Sequence, residues 1–225
     1  MRQPIQKITS ICFWLLATLD IIGIAANVDW LHFTVKPLLL PALFTMLYFS
    51  RATYPGKKWL LAGLFSSWLG DVFLLFEYRN ALFFIFGLAS FLTTHIFYII
   101  YFLRIRATNS SLLVKQPVLT ILVLAYGISL VWQLYPLLGD LKLPVMLYAA
   151  VICSMLLCSL HIFLRVNKKS AVFYLSGAAA FVVSDSLLAI NKFYHPFAFA
   201  GVFIMITYCV AQYAIVRGYI ELSKT

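Results

Sequence analysis

Apolar runs long enough to cross a bilayer recur along this chain, at roughly 8–26, 32–50, 58–76, 81–103, 117–133, 143–164, 171–190 and 196–216. A helix needs about 20 mostly apolar residues to cross ~30 Å of hydrocarbon at 1.5 Å per residue. Hydrocarbon offers no partner to a free backbone amide, so each run is committed to helix. Composition agrees. The chain is 64% hydrophobic and 11% charged, whereas soluble domains are about 45–50% apolar; too few polar side chains remain to clothe a water-facing surface. The alternating pattern of a membrane β-barrel is absent. The expected fold is an all-α integral membrane protein, an eight-span transmembrane helical bundle. Loops are too short to hold a soluble domain, so residues 1–225 form one transmembrane domain.

The net charge of +10 is of the sign that suits a nucleic-acid partner, but its distribution points elsewhere. Thirteen of the seventeen Lys and Arg fall on the side of the N-terminus: Arg2, Lys7, Arg51, Lys57, Lys58, Arg104, Arg106, Lys115, Arg165, Lys168, Lys169, Arg217 and Lys224. Arg79, Lys142 and Lys192 lie on the other side, and Lys36 sits within the second span. This asymmetry is a positive-inside signal. It predicts cytoplasmic N- and C-termini, membrane lipids as the surroundings and no nucleic-acid partner. No obligatory protein partner is evident. The expected location is a bacterial inner (plasma) membrane. Trp30, Trp59, Tyr54, Tyr78, Trp132 and Tyr135 near span ends form the usual aromatic belt, and Arg79 and His32 read as interfacial.

Cys12, Cys153, Cys158 and Cys209 all fall inside spans without a CxxC pair, and read as small packing residues. The first run mimics a signal peptide but is long for one, and reads as an uncleaved anchor. The longest connection, RIRATNSSLLVKQP at 104–117, separates four spans from four. The halves echo each other weakly. Ser66-Ser67 and Gly70-Asp71 precede a span with His95 and Tyr98, while Ser184-Asp185-Ser186 precedes one with Tyr208 and Gln212. A parallel repeat, 1–104 and 117–225, and a chance likeness of two hairpins both fit.

The residues that single out a site are Asp71 and Asp185, two of only seven acids. A carboxylate at mid-membrane costs about 2.5–3.5 kcal/mol on insertion scales, and such groups usually face a bundle interior or wet cavity. Both spans run outward, and each Asp lies about one turn from the outer end, so the pair can share one cavity. Ser67 shares the face of Asp71. His95 with Tyr98, and Tyr208 with Gln212, lie at helical spacing and extend the lining inward. The plain alternative is a hydrogen-bonded packing network. Lys36-Pro37, read as the opening of span two, places a cation at similar depth. That lysine either snorkels to the interface or serves as a counter-ion or phosphate contact. The proline suits a first helical turn. Asn191 and Lys192 follow Asp185 in the next turn. No Walker loop, GxGxxG, HExxH or GxSxG motif occurs, and the four His have no metal-ligand spacing. No metal or cofactor is expected.

Lys36-Pro37, Gly70-Asp71, His95 with Tyr98, SDSLLAINKF at 184–193 and TYCVAQ at 207–212 together resemble the YhhN family of integral membrane lysoplasmalogenases. That resemblance implies an eight-span enzyme without a metal requirement. Its implied reaction is hydrolysis of the vinyl ether of a lysoplasmalogen, a lysophospholipid, to a fatty aldehyde and glycerophospho-ethanolamine or -choline. Asp71 and Asp185 become the catalytic pair, with Lys36, His95, Tyr98, Asn191, Lys192, Tyr208 and Gln212 binding substrate. Protonating the vinyl β-carbon leaves an oxocarbenium ion that water attacks. The reaction therefore needs one carboxyl holding a proton and one ionised, as in glycosidases. Asp185, flanked by serines and near Lys192, reads as the anion and Asp71 as the acid. A proton-coupled transporter of a lipid or small amphiphile would also use buried acids. Spans three and seven lack the internal proline that broken transporter helices favour. A merely structural protein leaves the acids unexplained.

Overall fold

A computed structural model describes residues 2–50, 54–105 and 109–223, with side chains from residue 5. Arg51, Arg106, Lys224 and the side chain of Arg2, all part of the charge count above, lie outside the described residues. Among the described residues, eight helices are long and apolar enough to span a membrane. They are α1 (Arg2–Ala25), α2 (Asp29–Tyr48), α3 (Lys57–Leu75), α4 (Ala81–Leu103), α5 (Val118–Leu134), α6 (Lys142–Ile162), α7 (Lys168–Ala189) and α8 (Ala200–Leu222). A helical turn at Leu112–Lys115 precedes α5, and a π-helical turn, Ile190–Tyr194, extends α7. The described residues contain no strand.

Local chemistry sets the ends. Asn80 and Asn167 cap α4 and α7 by accepting from the backbone N–H of Leu82 and Ser170 at 2.8 and 2.9 Å. Hydropathy misjudged other ends, because helices run on past the apolar stretch into polar flanks. In α2 the difference alters a residue's role. The helix starts at Asp29, so Pro37 lies in its interior, not its first turn, and Lys36 is two turns in. Pro41 has no N–H to give to the carbonyl of Pro37. The Trp68 indole of α3 takes its place, donating to that oxygen at 2.9 Å.

Successive helices pack side by side from α1 to α4, α4 then meets α6, and α6, α7 and α8 lead back to α1. Seven helices thus close a ring, with α8 also reaching α2 and α3. Helix α5 stays outside, against α6 and the π turn, and Leu134 is its one buried residue. The four cysteines are unpaired, and Trp30, Tyr78 and Trp132 are exposed at helix ends.

The α7–α8 contact is the most extensive in the bundle. It depends on Gly177, where a Cβ would stand 3.0 Å from the carbonyl oxygen of Ala211 and 3.1 Å from the amide nitrogen of Ile215. Small residues permit such close backbone approach in membranes. Gly177→Ala is expected to destabilise the fold by about 1–3 kcal/mol, seen as a lower Tm in detergent. Ser176→Ala, one residue away on the exposed face, should leave Tm unchanged.

Candidate active site

The inward faces of α3, α4 and α8 carry polar groups one turn apart. Gln212 sits at their centre, fully buried. Its Oε1 accepts from the Tyr98 hydroxyl at 2.7 Å and its Nε2 donates to Ser67 Oγ at 2.8 Å. Ser67 donates onward to Thr94 Oγ1 at 3.0 Å, and Thr94 to the Gly63 carbonyl at 3.1 Å. One turn outward α3 and α8 meet again, where Tyr208 donates to Asp71 Oδ2 at 2.7 Å.

Asp185 belongs to a second arrangement. Tyr148 of α6 donates to its Oδ2 at 2.5 Å, and His95 Nε2 stands 3.5 Å from the same oxygen. His95 Nδ1 meets the carbonyl oxygen of Phe91, which only accepts. Nδ1 therefore carries a ring proton, and Nε2, with no hydrogen-bond partner, points toward Asp185; in the neutral ring it offers that carboxyl a lone pair.

Both aspartates line one cavity of about 340 Å³ at the end of the bundle formed by the C-termini of α1, α3 and α7 and the N-termini of α2 and α8. Lys36, Asn191 and Tyr208 line it with them. Lys36 is only 9% exposed, and among the described residues no carboxylate lies within ion-pair distance of it. It is therefore available to an anion entering the cavity.

Five of the nine residues singled out from sequence thus share a cavity. His95 stands behind Asp185, while Tyr98 and Gln212 lie deeper in the network. Lys192 does not join them: it is 40% exposed, 3.4 Å from Glu77 Oε2, and lies over the Phe84 ring at 4.6 Å. The grounds for reading Asp185 as the anion also change. Ser184 donates to the Ile204 carbonyl and Ser186 to the Val182 carbonyl, so neither flanking serine serves Asp185. Tyr208 and the nearby Lys36 charge belong instead to Asp71.

Sequence reading passed over Asp20, Thr94 and Tyr148, and took His32 for an interfacial residue. Asp20 is fully buried in α1, with Oδ1 2.8 Å from His32 Nδ1 and Oδ2 without a partner. His32 is therefore no simple interfacial residue, since it lines the cavity beside this pair. The signal for Asp20 was the same as for the other two acids: a carboxyl in an apolar run. Nothing in the sequence marks Tyr148. Among the described residues no three His, Cys, Asp or Glu converge as metal ligands.

The sequence signature of the YhhN family matches residues 31–219. The chain belongs to the YhhN family. It is similar to human "Lysoplasmalogenase TMEM86A", 31% identical over 175 residues that make up 75% of this chain and 68% of the relative. The bovine protein of that name is 29% identical over 174 residues, 75% of this chain and 68% of the relative. A Mycobacterium bovis "Lysoplasmalogenase" is 25% identical over 197 residues, 84% of this chain and 71% of the relative. No solved structure gives a significant match.

In this YhhN protein, Gln212→Leu leaves the Tyr98 hydroxyl short of its acceptor, which should destabilise the fold by about 1–3 kcal/mol. Adding Tyr98→Phe should cost less than the sum of the two changes, because both remove one bond. Equilibrium unfolding of the single and double variants in detergent measures the coupling.

Proposed function

We propose that this chain is a membrane hydrolase that splits the vinyl ether bond of a lysoplasmalogen, releasing a fatty aldehyde and a glycerophospho-ethanolamine or -choline. One observation carries the reading: Asp71 and Asp185, from different helices and each with its own tyrosine hydroxyl, share a cavity with Lys36. The relatives named lysoplasmalogenase support the same substrate class.

In this reading Asp185 gives the proton and Asp71 is the carboxylate. A basic Nε2 lone pair facing Asp185 suits a carboxyl that carries a proton, and the Lys36 cation that acts on Asp71 suits a carboxylate; each acid accepts one tyrosine hydroxyl, so those bonds do not separate them. Asp185 protonates the β-carbon of the vinyl ether, and the π electrons form the new C–H bond. The resulting oxocarbenium ion is stabilised by Asp71, which then takes a proton from the attacking water. The hemiacetal formed collapses as Asp185 recovers a proton from its hydroxyl and Asp71 returns one to the departing glycerol oxygen. Both carboxyls end as they began, with one water consumed. Lys36 holds the phosphate, as a cation beside a buried anion does.

Purified protein in micelles should release aldehyde from a lysoplasmalogen, a reaction that needs no second compartment. Asp71→Asn and Asp185→Asn should each lower kcat by about 10²–10⁴-fold while the variants unfold at wild-type temperature. Near-normal turnover by either one would overturn the assignment. Lys36→Met should chiefly raise KM.

The charge asymmetry supports an orientation with both termini in the cytoplasm and the cavity on the opposite side of a bacterial inner membrane. Green fluorescent protein fused after Thr225 should then fluoresce, and a fusion in the turn at 195–199 should not.

A further inference from the structure

Asp185 borders two spaces. Besides the polar cavity it lines a small apolar crevice of about 40 Å³ between α4, α6 and the end of α7. Phe84, Leu88, Val145, Ala189 and Phe193 form most of that crevice, and its polar groups are Asp185 and the Tyr148 hydroxyl bound to it. Leu188, three residues from Asp185 and on the same helix face, also lines both spaces. The π-helical turn then divides its side chains in the same way, with Asn191 on the cavity and Phe193 on the crevice. Leu88, Leu188, Ala189 and Phe193 are half-buried, so the crevice reaches the lipid-facing surface.

A single-chain lipid has the same division: a charged head, an apolar tail and, in a lysoplasmalogen, the vinyl ether where they join. We propose that α7 divides the substrate at Asp185, with the head in the polar cavity beside Lys36 and the first carbons of the alkenyl chain in the α4–α6–α7 crevice. This placement rests on the vinyl ether reading above. It puts the β-carbon, the first chain atom past the ether carbon, beside the carboxyl assigned as proton donor. The crevice holds only the carbons next to the double bond, so later carbons pass over the half-buried Leu88 and Phe193 into the bilayer. Ala189, Val145 and Phe193 therefore determine which chains are accepted. A larger groove of about 540 Å³ between α5 and α6 is also apolar, but it touches neither aspartate.

The test compares two substrates in micelles: an O-ethenyl lysophospholipid, which has no carbon beyond the double bond, and an O-hexadecenyl one. Ala189→Phe narrows the crevice and should lower the long-to-short ratio of kcat/KM by about tenfold or more, as expected for a hydrophobic pocket losing fit. Phe193→Ala widens the crevice and should raise turnover of a third substrate, a chain branched next to the double bond, which keeps the test decisive if the narrowed variant does not fold. Ala150→Phe fills the α5–α6 groove and should leave the ratio unchanged. The proposal fails if Ala189→Phe leaves the ratio unmoved and Phe193→Ala does not raise turnover of the branched chain, or if Ala150→Phe alone shifts the ratio. A wild-type protein that cleaves neither substrate sinks the vinyl ether reading itself, and this placement with it.

Discussion

The buried carboxamide of Gln212 is the contact on which the site depends. A polar group inside a bundle surrounded by hydrocarbon must find its partner in another helix. Gln212 does this twice, because an amide both donates and accepts. Its bonds to Tyr98 and Ser67 fix the rotation of α8 against α4 and α3 together. Each bond contributes only ~0.6–2 kcal/mol, yet together they set a register. Once Gln212 faces Ser67, the residues one turn outward, Tyr208 and Asp71, must also face each other.

The second carboxyl arrives by a different route. Helix α7 is held to α8 by the close approach at Gly177, which turns Asp185 inward toward α4 and α6. The two acids therefore reach one cavity through separate networks. Asp71 meets a phenol with a lysine nearby, and Asp185 meets a phenol and an imidazole lone pair. Different surroundings for like groups are what acid–base pairs require. The ring closure that leaves α5 outside makes this possible, because α4 and α6 then touch and bring His95 and Tyr148 together at the same oxygen of Asp185.

Much of this was legible in the sequence. The spans follow from length and hydropathy, and Asp71, Asp185 and Lys36 fall at matching depth by counting residues from span ends, whereas the same count puts Tyr208 deeper than the Asp71 it bonds. Partner choice was less legible. Serines beside Asp185 look like natural donors, but a helical serine bonds most readily to the backbone one turn back or to the neighbouring helix, and Ser184 and Ser186 do so. Lys192 looks close to Asp185 in sequence, yet the π turn directs it outward to Glu77. Asp20 was equally visible as a carboxyl in an apolar run, and was hidden only by its place in a segment that resembles an anchor.

Composition and spacing alone commit the chain to membrane-spanning helices, with two acids near one end of the bundle. Hydrocarbon leaves a backbone no other regular choice, and helical rise converts residue number into depth. Neither rule says which helices touch. That Tyr208 serves Asp71, that Tyr148 and His95 serve Asp185, and that α5 lies outside the ring were decided by packing. Such contacts join residues more than thirty positions apart, with no local pattern to announce them.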